Sequence, residues 1–236
     1  MATRQVLAEL AAGFEQQGGC PVTIESVGGV DAAKRVQAGE AFDLVILGSD
    51  AIDKLIAAGH LQPGSRVDLV RSGVAVAVRA GEPLPDIGSE DAVKQAVLAA
   101  RSVSFSTGPS GVALAALFER WGIADEIKPR LVQAPPGVPV GTLVARGEVA
   151  LGFQQLSELL NVPGITIVGP LPPEIQITTT FSAGLPVGPA DIDGFEVSAE
   201  VARERAATRD RMIRHVFRAV YEKLPPAELR TQSDAY

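Results

Sequence analysis

The chain has 236 residues, 46% of them hydrophobic and 21% charged, so it can bury one large or two small cores. Its net charge of −7 and pI near 5 exclude a general nucleic-acid binder, which needs a basic face to displace phosphate counterions. With Cys20 as the single cysteine and only two histidines, His60 and His215, an internal disulfide is impossible and a structural zinc site lacks ligands; no cofactor and no metal are expected.

The chain opens on "MATRQVLAELAAGFEQQGG". Leu7, Leu10, Ala11 and Phe14 recur at helical spacing, so an amphipathic helix is predicted from the first residues onward. The segment has no cationic start, apolar stretch and small-residue cleavage site in succession. As written it predicts a cytoplasmic protein, or a periplasmic one if the true N-terminus lies upstream. No apolar run approaches a membrane span, so no membrane insertion is expected. Cys20, which follows, reads as a small buried apolar residue.

"VTIESV" (22–27) predicts a strand, and "VDAAKRVQAG" (30–39) a helix stopped by Gly39. "FDLVILGS" (42–49) is a continuous apolar run of the kind found in buried parallel strands. "DAIDKLIAAG" (50–59) follows as a helix with Asp50 as its N-cap and Gly59 as its stop. "VDLVRSGVAVAVRAG" (67–81) reads as two extended segments in tandem, divided at Arg71, Ser72 and Gly73. Then helices near 90–99, 110–121 and 138–146 alternate with strands at 103–106, near 130–134 and at 149–154. A second long extended run, "ITIVGPLPPEIQITTTFSAGL", covers 165–185. The tail 199–224 carries an apolar stripe of Ile213, Val216, Phe217, Val220, Tyr221 and Leu224 and six arginines, and predicts a helix.

Strands alternating with helices predict an α/β fold with mostly parallel sheets. The two long extended runs read as crossings between two lobes. One lobe is residues 1–72 plus 178–236, and the other is residues 73–177 inserted between them. In open α/β sheets ligands bind beyond the carboxyl ends of strands, and two such ends facing across an interlobe cleft would close on a small ligand by hinge bending.

"FSTGPSGVAL" (105–114) is the stretch with most chemistry. A strand ends in Ser106 and Thr107, and Gly108-Pro109-Ser110-Gly111 opens a helix. Helix N-termini hold anions through unpaired N–H groups and the helix dipole. The backbone N–H groups from Gly108 to Gly111, Pro109 excepted, and the hydroxyls of Ser106, Thr107 and an exposed Ser110 therefore make an oxyanion cradle. An ordinary capped turn, with Thr107 as the cap, is the plainer reading. A P-loop is excluded because Val112 and Ala113 stand where lysine and a hydroxyl residue are required. A nucleophile elbow is excluded because Val112 replaces its last glycine. Other strand ends carry residues of the same small or amide kind: Gly28-Gly29, Gly48-Ser49-Asp50, Pro135-Pro136-Gly137-Val138 and Gln154-Gln155.

The segments "VGGVDAAKRVQAGEAFDLVILGSDAIDKLIAAG" and "GEVALGFQQLSELL" resemble periplasmic molybdate-binding proteins and their relatives, the type II solute-binding proteins of ABC transporters. Gly39, Phe42, Asp43 and Ser49, then Gly147, Glu148 and Gly152, carry the match. The resemblance covers roughly residues 1–185. It implies a two-lobed type II periplasmic-binding-protein fold and a non-catalytic role in binding a small anion, with a transporter permease as partner if the chain is exported. The ligand-facing positions it implies are Thr3, Gly28, Gly29, Ser49, Ser106, Thr107, Ser110, Val138 through its backbone N–H, and Gln155. At Gln155 molybdate binders carry a tyrosine, and at Gly28 and Gly29 the family often has serines. These departures remove hydroxyls that a tetrahedral metal oxyanion would use. The resemblance further implies that the family's first strand is missing. The same fold resembles that of aconitate isomerase, which implies an alternative: proton transfer within an unsaturated di- or tricarboxylate, with Asp50 as the base. A ligand-sensing domain of a transcription regulator shares the fold, but no helix-turn-helix precedes it here.

Overall fold

The computed structural model describes residues 2–17, 21–135 and 138–187. The expectations for Cys20 and for a helix at 199–224 fall outside the described residues.

The described residues form two compact units. Among the described residues, the first comprises Ala2, Val27–Asp31 and Arg71–Thr180; the second comprises Thr3–Ser26, Ala32–Val70 and residues 181–187. In chain order the elements are α1 (Arg4–Gln16), α2 (Gly29–Gln37), β1 (Val45–Gly48), α3 (Ser49–Ala57), β2 (Val67–Arg79), α4 (Glu90–Ala99), β3 (Val103–Phe105), α5 (Pro109–Arg120), α6 (Ala124–Ile127), α7 (Val140–Ala145), β4 (Leu151–Gln155), α8 (Leu156–Leu159), β5 (Ile165–Pro170) and β6 (Thr178–Gly184). Short 3-10 turns occupy Lys128–Arg130 and Pro173–Ile175.

In the second unit α1 begins where the sequence places it and buries Leu10 and Phe14 from the predicted stripe. Helices α2 and α3 end ahead of Gly39 and Gly59, whose φ of 81° and 78° are the left-handed turns that glycine adopts without a Cβ penalty. Val36, Val45, Leu47, Ile52, Leu55 and Leu61 make the core. Strand β1 runs antiparallel to β6, with Val45 opposite Gly184 and Gly48 opposite Phe181. A side chain at Gly184 would meet Leu61 Cδ1 at 2.8 Å, so the strand is flattened against that core.

Three expectations fail here. Residues 22–27 form no strand: Ile24 and Val27 stay exposed, and Val22 donates its N–H to Glu15 Oε1 at 2.7 Å instead of to a ladder. An alternating pattern needs a neighbouring strand and a buried face to become a strand. The strand expected at 42–49 is confined to β1. Asp50 is no N-cap; Gly48 occupies that position and Asp50 sits exposed in the first turn of α3.

The strand from Val67 to Arg79, which enters the first unit at Arg71, is continuous, not two segments. Gly73 does not interrupt it. It makes room for Gln176, whose amide carbon would lie 3.0 Å from a Cβ there and whose Oε1 accepts the Val74 N–H at 2.9 Å. Val74–Val78 are fully covered, and β2 pairs antiparallel with both β4 and β5. Strands β3 and β4 are parallel, Val103 beside Leu151 and Phe105 beside Phe153. In this unit β2 lies between β5 and β4, and β3 pairs with the other edge of β4. The fold class is the α/β one expected, but the sheet is mixed where a mostly parallel one was predicted, because the long strand β2 runs against its neighbours. The strand expected near 130–134 shrinks to a bridge between Leu131 and Val103, with Val132 donating to Val103 O at 2.8 Å. Pro135 and Pro136 follow and have no N–H to continue a ladder.

The main core of this unit joins Val74, Val76 and Val78 of β2 to Val103, Leu151 and Phe153 and to Val93, Val97, Leu114, Leu117 and Phe118 of α4 and α5. Phe118 packs edge-on against both Phe105 and Phe153, with ring centroids 5.9 and 6.1 Å apart. The opposite side of β4 carries α7, and Gly152 permits this: a Cβ there would lie 2.6 Å from Val144 and 2.9 Å from Val140.

Candidate functional site

The parallel pair β3 and β4 fixes what stands at one edge of the first unit's sheet. Phe105 lies beside Phe153 as the last pair of the ladder; Ser106 and Thr107 follow the end of β3, and Gln154 and Gln155 are the last residues of β4. Helix α5 leaves this edge from β3, and α8 leaves it from β4. The bridge from Leu131 to Val103 delivers the segment toward Pro135 and Val138 to the same edge.

The α5 turn is tightly built. The Ser106 and Ser110 hydroxyls are 3.3 Å apart. A Cβ on Gly111 would stand 1.6 Å from the Ser106 carbonyl oxygen, so only glycine lets the helix start so close to the strand end. Gly108 is the N-cap, in extended conformation, and no side chain caps the helix. Pro109 occupies the first turn, and that turn holds no acidic residue. The Gly111 and Val112 N–H groups both donate to the Gly108 carbonyl, at 2.9 and 3.1 Å. Three details therefore differ from the sequence reading. Gly111 has its N–H engaged within the turn, Ser110 is buried and not exposed, and Thr107 is exposed and caps nothing.

At the end of β4 side chains alternate between the two sheet faces. Gln155 follows Leu151 and Phe153 on the α5 face; its Nε2 donates to Thr179 Oγ1 at 2.7 Å. Its Oε1 is buried and finds no partner among the described residues. Gln154 follows Gly152 on the α7 face and is 3% exposed. Its Oε1 accepts the Gly141 N–H at 3.1 Å, which caps α7, and its Nε2 donates to the Glu158 carboxylate. Glu158 is half-buried, and burial pushes its pKa above the usual carboxylate value against the opposing effect of the Gln154 hydrogen bond. Ser157 completes the group through a 3.2 Å contact with Ser72. Gln154 and Glu158 are four residues apart in "QQLSE", but a strand ends and a helix starts between them, so helical spacing gave no signal for their meeting.

Of the positions implied by the resemblance, Gly28, Gly29, Ser106, Thr107, Ser110, Val138 and Gln155 belong to the first unit, and Thr3, Ser49 and Asp50 to the second. The Val138 N–H already donates to Pro135 O at 3.0 Å. Thr3 is the buried N-cap residue of α1, and its hydroxyl makes no capping bond. Ser49 is the first residue of α3. Among the described residues no group of histidine, cysteine and carboxylate side chains could hold a metal ion, and no helix is long and apolar enough to cross a membrane.

Residues 1–195 match the family model for bacterial extracellular solute-binding proteins. The chain belongs to this family. It is 42% identical over 187 residues to an aconitate isomerase from Pseudomonas sp, a match covering 76% of this chain and 70% of that one. Among solved structures it superposes on the periplasmic molybdate-binding protein of Azotobacter vinelandii with a TM-score of 0.67 at 20% identity, covering 89% of each chain. The tungstate ABC transporter protein of Geobacter sulfurreducens gives a TM-score of 0.62 at 17% identity, covering 86% of this chain and 87% of that one. At these identities the two structures establish the fold of a solute-binding protein and leave the solute open. The resemblance read from "GEVALGFQQLSELL" and the segments before it thus holds for family and fold.

Proposed function

We propose that this solute-binding-family protein takes an unsaturated di- or tricarboxylate at the carboxyl edge of β3 and β4 and shifts a proton within it. The observation that carries the reading is the 42% identity to a protein named aconitate isomerase, more than twice that to either metal-oxyanion binder described above. The site chemistry agrees with a carboxylate. The α5 turn offers an N-terminus without a capping side chain or acidic residue, together with Ser106 and Ser110. Such a turn holds negative charge by dipoles and hydroxyls. A proton shift needs in addition an acid–base group, which must stand within hydrogen-bonding reach of the reacting carbon.

The test is proton NMR of the purified protein with trans-aconitate. Interconversion with the cis isomer supports isomerisation. The second reading, a receptor that binds an anion for an ABC transporter and returns it unchanged, is favoured by the family match over residues 1–195. Calorimetric binding of trans-aconitate without interconversion would favour that reading.

A further inference from the structure

Resting on the carboxylate reading of the site, we propose that Thr179 is a positioning residue: its hydroxyl turns the Gln155 amide so that the amide N–H groups face the ligand and donate to a carboxylate. Gln155 ends β4 and is 5% exposed, and its Oε1 is buried without a partner among the described residues. Buried polar groups are bonded in nearly every folded protein, and an orphaned one at a strand end is what an incoming ligand would satisfy. Ser104 Oγ, also without a partner among the described residues, lies within the ladder beside Gly152 and not at a strand end. Gln155 stands on the face that carries α5. Leu151 and Phe153 precede it on that face and share a core with Leu114, Leu117 and Phe118 of α5; Val74, directly opposite Gln155 in the antiparallel register, belongs to the same core. The first turn of α5 lies over the end of β3, where a Cβ on Gly111 would meet Phe105 Cδ2 at 3.2 Å, and Phe105 lies beside Phe153. Neighbouring strands are about 4.8 Å apart and two residues span about 6.7 Å along a strand, so the Cα atoms of Gln155 and Phe105 are about 8 Å apart. A small di- or tricarboxylate bridges such a gap, with one carboxylate at the α5 turn and another at the amide.

Thr179 decides which end of the amide is offered. Gln155 Nε2 donates to Thr179 Oγ1 at 2.7 Å, which leaves the oxygen as the free end. A hydroxyl both gives and accepts a hydrogen bond. Half a turn of the amide therefore lets Thr179 donate to Oε1, and it exchanges oxygen and nitrogen with no other group displaced. The free end then carries N–H donors in place of a bare oxygen. An ionised carboxylate has only acceptors, so it bonds the turned amide and is repelled by the other orientation. Both residues belong to the first unit, so the pair needs no group outside it.

The experiment is calorimetry of the full chain with trans-aconitate, with chemical denaturation of each variant to establish that it folds. Thr179→Val keeps the shape of the side chain and removes the hydroxyl. It is expected to lower affinity about tenfold, and Thr179→Ser to bring it back to within about threefold of wild type. In a Gln155→Leu background Thr179→Val is expected to change affinity by less than about twofold, because a residue that acts through Gln155 has nothing to act on there. Gln155→Glu is expected to cost about a hundredfold or more above neutral pH. That loss, taken relative to wild type at each pH, should shrink as pH falls and the new carboxyl regains a proton to donate. An equal loss from Thr179→Val in both backgrounds overturns the assignment, since Thr179 would then hold ligand or fold by itself. Unchanged or tighter binding in Gln155→Glu also overturns it, since the amide oxygen would then be the end that receives a donor. In both cases binding of trans-aconitate by the wild type leaves the carboxylate reading standing. A wild-type protein that does not bind trans-aconitate overturns that reading and this assignment together.

Discussion

Helices α4 and α5 both follow an extended or strand segment in the first unit, and their first turns are opposites. Helix α4 is closed by its own sequence: Ser89 accepts the Ala92 N–H at 3.2 Å, and Glu90 and Asp91 place two carboxylates against the positive end of the helix. Helix α5 has neither a capping side chain nor an acid, and its cap is a glycine. A helix start that satisfies itself has no use for an external anion, whereas α5 leaves the N-terminal partial charge without a partner from its own first turn. The difference separates a helix start capped by its own side chain from one left without such a cap, although both stretches are rich in small polar residues.

The strongest way to break the comparison is Gly111→Ala. Its Cβ would lie 1.6 Å from the oxygen and 2.7 Å from the carbon of the Ser106 carbonyl, both backbone atoms that cannot swing aside. The turn must open, at a cost of about 3 kcal/mol or more, which chemical denaturation reads directly. A second substitution makes α5 resemble α4. Gly108 has φ −77° and ψ −174°, which any residue adopts, and its Cβ would touch only Ser106 Oγ at 3.8 Å. Gly108→Asp should therefore fold and gain about 0.5–1 kcal/mol from the helix dipole. It should also lower affinity for trans-aconitate at least tenfold, because the helix start now carries its own anion. A stabilised protein with unchanged affinity would show that α5 is not the anion-holding turn.

Smaller changes sharpen the same contrast. Ser110→Ala removes a hydroxyl that can bond a bound carboxylate. Hydrogen bonds to charged acceptors contribute about 1.5–3 kcal/mol, so a loss in affinity of about tenfold is expected. The counterpart, Ser89→Ala, removes a cap and should cost about 1 kcal/mol of stability with affinity unchanged. Calorimetry and thermal unfolding on the two variants should give opposite patterns.

What the sequence carried of this site was the turn itself and the helix after it. Strand β3 and helices α4 and α5 follow the predicted spans within a residue or two, because local spacing, a cap and a Gly-Pro start specify them. What it did not carry depends on contacts between distant residues. "VTIESV" has a strand's alternation but no strand beside it. "VDLVRSGVAVAVRAG" looks interrupted at Gly73, where the glycine in fact admits Gln176 from 103 residues later. Glu158 carries no signal in the sequence because a carboxylate three residues past a strand end is ordinary until Gln154 is seen locked between it and Gly141. The burial of Ser110 was equally hidden, since it follows from the close approach at Gly111 and not from any neighbour in sequence.

The smallest expected effect concerns acid, and it again sets the start of α4 apart. The Glu90 carboxylate accepts from Trp121 Nε1 and from Arg120, each at 2.6 Å, and these bonds, the Trp121 one foremost, hold its pKa below the usual value of 4.5. A carboxylate with a lowered pKa in the folded state stabilises the protein fully above its unfolded pKa, and loses that contribution as pH falls through the lower folded value. Glu158 has the opposite sign. Its pKa is raised by burial, so its neutral form is favoured in the fold, and its contribution is present at low pH and fades as pH rises through the raised value. Stability measured between about pH 3 and pH 7 should therefore separate the two carboxylates. Glu90→Gln should flatten the loss of stability on the acid side, below the ordinary glutamate range, and leave trans-aconitate binding as it was. Glu158→Gln should leave that acid limb in place and remove the decline above the ordinary glutamate range. If Glu90→Gln instead weakened binding, the start of α4 would take part in holding the ligand, and the division between a self-satisfied helix start and an open one would fail at the point where it was drawn.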